Sequence, residues 1–342
     1  MSRGAEPLHT GAPPPRPARP AATGAQIGAQ LRAGDLTAAP AALNVLESRA
    51  PDARAAAAAL LAEVAPDRLG GEAPGHVVGI TGPPGAGKST LLGELVAVWR
   101  AAGETVAVLA VDPSSRRSGG ALLADRARIP SDPADRGTFI RSMAAGERLG
   151  GLAPATRAAA AALAVAFGVV VIETVGVGQS ETDVREAADT VAVVVQPASG
   201  DVLQFLKAGI MEIPDVLVVT KADLGAPAER AREDLAGALA ALGGTPPPVL
   251  LASAVPPPRG IEELRAALAA HRAGLDLAAA RARARRLGAL AAVAAEHGER
   301  GLRALGGRRA AEALLTGEDP ALPEPALVAA LERRIETAAS RA

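Results

Sequence analysis

A glycine-rich segment at residues 82–90 is the part of the sequence whose residue types and spacing most directly indicate chemistry. It reads GPPGAGKST and fits the pattern G-x-x-x-x-G-K-[ST] of a phosphate-binding loop. Glycines let backbone N–H groups turn toward phosphate oxygens, Lys88 would reach the β- and γ-phosphates, and the Ser89 hydroxyl would bind Mg²⁺. A chance glycine-rich turn is the alternative. The nucleotide-binding residues predicted here are Gly82, Pro83, Pro84, Gly85, Ala86, Gly87, Lys88, Ser89 and Thr90.

A second motif, Thr220-Lys221-Ala222-Asp223, has the form [NT]-K-x-D and follows an apolar stretch. The Asp223 carboxylate could accept hydrogen bonds from N1–H and the 2-amino group of guanine, and the stem of Lys221 could lie across the base. Adenine would leave that carboxylate unpaired, which is the physical basis of discrimination. A surface turn could also supply the tetrapeptide, but its position after a phosphate loop favours a guanine site. Ser253 and Ala254 follow a further apolar stretch, and there a backbone N–H is expected to meet the guanine oxygen.

Two carboxylates follow predicted strands. Asp112 comes after residues 105–111, and Glu173 comes after residues 169–172. Because ligands of open α/β sheets bind beyond the carboxyl ends of the strands, both are expected near the phosphates. Glu173 would hold Mg²⁺ through water, and the N–H of Gly176 would meet the γ-phosphate. Asp112 would orient a water molecule, although an Asp before Pro is also an ordinary turn residue.

The elements that must position these residues alternate along the chain. The phosphate loop lies between a predicted strand at 76–81 and a predicted helix at 90–100, and more strands are predicted at 190–195 and 215–219. This alternation predicts an α/β fold, a P-loop domain with a mostly parallel central sheet flanked by helices. Helical periodicity also precedes and follows the domain, predicting an N-terminal helical segment and a C-terminal helical arm. The arm is predicted to contain helices at 275–303, 308–315 and 325–339.

The predicted organisation has four parts. Residues 1–24 are a disordered tail rich in Pro, Ala, Gly and Arg, 25–72 the N-terminal helical segment, 73–274 the P-loop domain, and 275–342 an arm for packing or dimer formation. The arm contains a basic run that is expected to be a solvated helix face. The run consists of Arg281, Arg283, Arg285 and Arg286.

Composition limits the function classes. The chain has 342 residues, of which 49% are hydrophobic but only 1% aromatic, so the core must consist mainly of aliphatic side chains. A net charge of −1 argues against a nucleic-acid-binding or membrane-surface protein. Cysteine is absent, which excludes thiolate metal sites, and the four histidines show no metal-ligand spacing. The longest apolar run, residues 158–172, is too short to span a membrane, no signal peptide is visible, and a cytoplasmic location is expected.

Taken together, the motifs resemble those of the MeaB/ArgK-type P-loop GTPases, which accompany adenosylcobalamin-dependent acyl-CoA mutases such as methylmalonyl-CoA mutase. The resemblance extends from about residue 34 to the C-terminal helices. It is most specific in segments around and between the nucleotide motifs, above all in the string ETVGVGQSE. These segments are SGGALLADRAR at 118–128, LGGLAPATR at 149–157, VVVIETVGVGQSET at 169–182 and GIMEIPDVLVVTKAD at 209–223.

The resemblance implies a cytoplasmic, homodimeric GTPase that uses GTP/GDP and Mg²⁺, gates cofactor loading of the mutase and protects or reactivates it. It implies that Lys88, Asp112, Asp125 and Glu173 are catalytic, and that Ser89, Asp112, Asp125 and Glu173 serve the metal. It also places Asp201, Gln204 and Lys207 in a switch that senses the mutase. The family usually carries two adjacent basic residues there, whereas Lys207 is followed by Ala208.

Three other functions are weighed against this one. A protein kinase is an old label for the family, but nothing in the sequence resembles a kinase base or substrate site. Nickel-insertion GTPases share the expected fold, yet they carry Cys and His clusters that this chain lacks. In a third alternative, the nucleotide only sets the shape of a binding module that has negligible turnover by itself.

Overall fold

The structure is a computed structural model that describes residues 22–48, 50, 52–112, 134–144, 152–174, 180–197, 214–241 and 245–340. Several residues predicted above lie outside these ranges. They are Asp125, Gly176, Asp201, Gln204, Lys207 and nearly all of the predicted N-terminal tail.

The centre of the molecule is a seven-stranded sheet in which every pairing is parallel. The strand order is β3-β2-β4-β1-β5-β6-β7. The predicted P-loop α/β fold is therefore confirmed. The strands are β1 (His76–Thr81), β2 (Val106–Asp112), β3 (Thr138–Ala144), β4 (Val169–Thr174), β5 (Thr190–Val195), β6 (Val216–Val219) and β7 (Val249–Leu251).

Helices precede, cover and follow the sheet. The N-terminal helices are α1 (Gly24–Arg32), α2 (Ala39–Glu47), α3 (Ala53–Glu63) and α4 (Pro66–Leu69). Helices α5 (Lys88–Ala101), α6 (Pro154–Leu163), α7 (Ser180–Ala187), α8 (Ala226–Ala241) and α9 (Ile261–Ala273) belong to the sheet region. The arm consists of α10 (Leu277–Ala304), α11 (Arg308–Thr316) and α12 (Glu324–Ala339).

Both faces of the sheet are buried, as its continuous apolar strands require. On one face the strands share a core with the N-terminal helices and α6, including Leu31, Leu43 and Leu163. On the other face they pack against α5 and α9 through Leu92, Leu95, Leu264 and neighbouring residues. The parallel arrangement brings the carboxyl ends of β1, β2 and β4 to one edge, and this edge is where the predicted site residues lie.

The arm has a small core of its own, in which Leu290, Val293, Leu315 and Leu331 are all buried. It is also fastened to the sheet region by its basic run. Arg281 donates to both carboxylate oxygens of Asp189, at 2.8 and 2.7 Å.

The rest of this attachment involves carbonyl oxygens and a second ion pair. Arg281 also donates to the carbonyls of Ala73 and Gly75, at 2.7 Å each. Arg285 donates to both carboxylate oxygens of Glu72, at 3.0 and 2.8 Å. The expectation of a solvated basic face is therefore wrong for these two arginines. They are one helical turn apart and point toward the sheet region, whereas Arg283 is exposed.

Within the described ranges, no helix has the length and apolar character needed to cross a membrane.

Candidate nucleotide site

The phosphate loop joins the end of β1 to the start of α5, and its glycines are required by its shape. At Gly82 the backbone has φ +140°, and an added Cβ would lie 2.0 Å from the carbonyl oxygen of Val194 on β5. Gly87, the residue before α5, has φ +89°. Residues that carry a side chain rarely adopt these backbone angles, so only glycine suits both positions. The loop therefore leads directly into a helix N-terminus, which attracts anions.

Lys88 lies inside this loop and is 8% exposed. Its Nζ donates to the carbonyl oxygens of Gly82 at 2.7 Å and Pro83 at 3.0 Å. The ammonium group is thus held at the centre of the loop by the loop's own backbone. It lies at the carboxyl ends of the strands, where the sequence predicts that phosphate groups bind.

Ser89 and Glu173 meet beside the loop. The Ser89 hydroxyl donates to Oε1 of Glu173 at 2.7 Å, and Glu173 is 4% exposed. The strand register accounts for this contact, because Glu173 on β4 pairs with Ile80 on β1, just before the loop. A hydroxyl and a carboxylate are oxygen ligands of the kind that Mg²⁺ prefers, so these two residues fit a magnesium ion.

Asp112 is the last residue of β2. On this strand Ala110 pairs with Glu173 and Val111 with Thr174, so the backbone of Asp112 lies at the same sheet edge as Glu173. Its side chain, like Asp125 and Gly176, lies outside what the structure describes. Their roles remain predictions.

The second motif is tied to the phosphate loop by Thr220. Its hydroxyl lies 2.6 Å from the carbonyl oxygen of Ala86 and 3.0 Å from that of Val195, and it can donate to either. The sequence predicts Thr220 only as a nucleotide-binding residue. In the structure its hydroxyl instead links the phosphate loop to the motif at residues 220–223, and this link sets the distance between them.

Asp223 follows this link and is held by Ser253. The Ser253 hydroxyl donates to Oδ1 of Asp223 at 2.7 Å and accepts from the N–H of Val255 at 3.2 Å. The backbone N–H of Ser253 donates to the carbonyl of Arg259 at 2.9 Å. It is therefore engaged, and the predicted contact of a backbone N–H with guanine stays a prediction for Ala254. The side chain of Ser253, rather than its backbone N–H, contacts Asp223, and no sequence pattern predicts this contact.

Lys221 has φ +55°, an angle in the left-handed region that residues other than glycine seldom adopt. Its Nζ donates to Oε1 of Gln196, the residue that follows β5. Such backbone strain is concentrated at functional sites, where the surrounding structure maintains it. Gln196 was not identified from the sequence, because a single polar residue after a strand carries no motif.

One cluster outside this site brings together possible metal ligands that are separated in sequence. Ligand atoms of Glu296, His297 and Glu332 lie within 4.8 Å of one another. The spacing of the histidines could not reveal it, because Glu332 comes from a different helix. Arg54 already donates to Glu296 at 2.8 Å, so this group is explained as an ion-pair cluster between the arm and α3.

Comparisons with known proteins find relatives that carry GTPase in their names. A Pyrococcus horikoshii protein that carries GTPase in its name is 55% identical over 149 residues, which are 43% of this chain and 47% of that protein. The chain therefore aligns with only about half the length of this relative. A Caulobacter vibrioides protein, also with GTPase in its name, is 43% identical over 261 residues, covering 74% of this chain and 78% of its own.

A solved structure and a family model also match most of the chain. A crystal structure described as "LAO/AO transport system kinase" superimposes with a TM-score of 0.62 at 27% identity, covering 92% of this chain and 97% of that one. Residues 39–300 match the model of the family described as "Methylmalonyl Co-A mutase-associated GTPase MeaB". Since that match covers most of the chain, the protein belongs to the MeaB family of GTPases.

Proposed function

We propose that this protein binds and hydrolyses GTP. The observation that carries the proposal is the geometry of Asp223, whose carboxylate is oriented by Ser253 and linked to the phosphate loop through Thr220 and Ala86. A guanine base and a chain of phosphates could occupy these two parts of one site together. GTPase names among the relatives support the same reading.

In the proposed mechanism, backbone N–H groups of the loop and the N-terminus of α5 bind the phosphates. Lys88 exchanges its loop carbonyls for phosphate oxygens and neutralises charge that develops during transfer. Ser89 and Glu173 would hold Mg²⁺, which supplies further charge neutralisation when bound. Asp112, Asp125 and Glu173 would orient the water that attacks, and Gly176 would contact the γ-phosphate.

The proposed partner is an adenosylcobalamin-dependent acyl-CoA mutase, methylmalonyl-CoA mutase or a relative. The protein would act in the cytoplasm as a homodimer, gate cofactor loading, and protect or reactivate the mutase. The family description, which names mutase association, supports the partner. Dimer formation through the arm and the sensing role of Asp201, Gln204 and Lys207 are further parts of the same proposal.

The proposed preference for a guanine base is tested by comparing the GDP and ADP affinities of the wild type, D223N and a matched control, D234N. Asp234 is an exposed acid on α8, so its change should leave binding unaltered. We expect the wild type to prefer GDP over ADP by about 100-fold or more, and D223N to lose most of that preference and gain affinity for xanthosine diphosphate. Equal affinities of the wild type for GDP and ADP would contradict the guanine site.

The partner claim is tested by measuring phosphate release from GTP with and without a purified adenosylcobalamin-dependent mutase. We expect slow phosphate release that accelerates when the mutase is added, because the mutase would favour one of the nucleotide-dependent conformations of this protein. Absence of acceleration with any such mutase would favour a binding module. Transfer of the γ-phosphate to protein would instead favour a kinase.

A further inference from the structure

The carboxyl end of β5 lies between the two parts of the candidate nucleotide site. In the sheet, β5 is flanked by β1, which leads into the phosphate loop, and by β6, which leads into the [NT]-K-x-D motif. On one side, an added Cβ on Gly82 would lie 2.0 Å from the carbonyl oxygen of Val194. On the other side, the N–H of Thr220 donates to the carbonyl oxygen of Val195 at 2.9 Å. A nucleotide that occupies both parts must therefore extend past the end of β5, where the next residue is Gln196.

The backbone of Lys221 is held in an unusual conformation by the residues on either side of it. Lys221 has φ +55° and ψ +39°, and among the described residues other than glycine it alone has a positive φ. The N–H of Thr220 is bonded to β5, and the N–H of Ala222 donates to the carbonyl oxygen of Ala252 at 3.1 Å. These two bonds maintain the strained backbone and fix the direction in which the lysine side chain leaves it.

The tip of the Lys221 side chain is held as well. Lys221 is exposed, and the long stem of an exposed lysine loses conformational entropy when it is ordered. Its Nζ donates to Oε1 of Gln196, a partly buried residue. Because the donor is an ammonium group, this bond is stronger than one between two neutral groups. The stem is therefore fixed at both ends by the protein itself.

We propose that Gln196 is a positioning residue for the nucleotide base, because it holds the stem of Lys221 where a purine ring packs against it. The inference rests on the proposed guanine site, in which Asp223 bonds to the edge of the base and Lys221 covers its face. An amide suits this position, since it accepts from the ammonium group without adding a negative charge beside the phosphate loop. Gln196 should then raise the affinity for any purine that binds here and leave the choice among purines to Asp223.

The first test compares the wild type with Q196M in binding GDP and inosine diphosphate, which lacks the 2-amino group. Methionine keeps the length of the side chain but removes the oxygen that accepts from Lys221. We expect Q196M to weaken both ligands equally, by about fivefold, so that the ratio of their affinities is unchanged. Q30M, which changes an exposed glutamine on α1, is the control and should have no effect. A changed ratio would mean that Gln196 contacts the edge of the base and would overturn the proposal, as would an unchanged GDP affinity.

A double-mutant cycle separates positioning from a structural role. We expect K221M to bind GDP about tenfold more weakly than the wild type, and Q196M to change the affinity less than about twofold in that background, because the group that it positions is gone. A further fivefold loss in the double mutant would show that Gln196 acts without Lys221 and would overturn the proposal.

Two further measurements complete the test. The denaturant midpoint of Q196M should match that of the wild type, and a clearly lower midpoint would assign Gln196 a role in the fold instead. A wild type that binds GDP no better than ADP would refute the guanine site and, with it, this proposal. A wild type that prefers GDP, together with a Q196M variant that binds as the wild type does, would refute the role of Gln196 alone.

Discussion

The two ends of the sheet are built in different ways. At the carboxyl end, the candidate nucleotide site is built around short contiguous segments, and Lys88 bonds to the backbone of its own segment at Gly82 and Pro83. Contacts such as Ser89–Glu173 then join these segments to one another. At the amino end, side chains far apart in sequence bond to one another. Asp189 pairs with Arg281, 92 residues later, and His76 with Thr190, 114 residues later.

A hydrogen-bonded chain completes the amino end. Thr190 forms hydrogen bonds with both His76, at 2.8 Å, and Nδ1 of His271, at 2.9 Å. Nε2 of His271 lies 3.2 Å from Asp215, which also pairs with Arg185. The difference indicates that the carboxyl end is arranged to exchange partners with a ligand, whereas most charges of the amino end are already paired and serve the fold.

The largest expected effect comes from removing an ion pair at the amino end of the sheet. R281M removes the partner of Asp189, a buried carboxylate, and should lower the free energy of unfolding by about 3 kcal/mol. GDP affinity should remain unchanged, because the nucleotide site lies at the other end. Denaturant unfolding and a GDP titration measure both quantities. R283M, which changes an exposed residue on the same helix, is the control, and a loss below about 1 kcal/mol for R281M would refute this role of the pair.

A pH experiment probes the same end with a smaller effect. Burial lowers the pKa of His76 to about 4, while Asp189 opposes this shift and Arg272, Arg281 and His271 reinforce it. Because the unfolded chain binds this proton near pH 6.5, the contribution to stability is present above that pH and is lost as the pH falls toward 4.

Between pH 7.5 and 5, the wild type should therefore lose about 2 kcal/mol more stability than H76Q, which cannot titrate. Unfolding by denaturant at several pH values measures this difference. H297Q, which changes a partly exposed histidine of the arm, should behave like the wild type. Parallel pH profiles for H76Q and the wild type would contradict the assignment.

The smallest expected effect comes from removing one hydrogen bond at the carboxyl end of the sheet. T220V keeps the shape of the side chain but removes the hydroxyl that links Ala86 to the base motif, and it should cost about 1 kcal/mol of stability. GDP affinity should fall several-fold, since the loop and Asp223 lose their fixed separation. T156V is a matched control, because the Thr156 hydroxyl is equally buried and has no hydrogen-bond partner in the described residues. An unchanged GDP affinity for T220V would mean that the link does not position the site.

The same contrast explains what could be predicted from sequence. The phosphate loop and the strands β1, β2, β4, β5 and β6 are predictable because each is a contiguous pattern. The carboxyl ends of parallel strands then bring Glu173 beside Ser89 without further information. The Arg281–Asp189 pair could not be predicted, since its members lie on separate elements and a basic run resembles an ordinary solvated face. Ser253 and Gln196 were missed as side-chain partners for a related reason. Their roles depend on loop geometry and have no spacing pattern.

The attachment of Arg281 also has a consequence for synthesis of the chain. A nascent chain that extends only to β7 contains every described strand, yet it lacks the arginine that pairs with Asp189 and bonds to the carbonyls of Ala73 and Gly75. Domains generally fold as units while the ribosome extends them. We expect the sheet to gain its full resistance to unfolding only after the first turns of α10 have emerged, so a stalled chain ending near residue 275 should be degraded faster than one ending near residue 290.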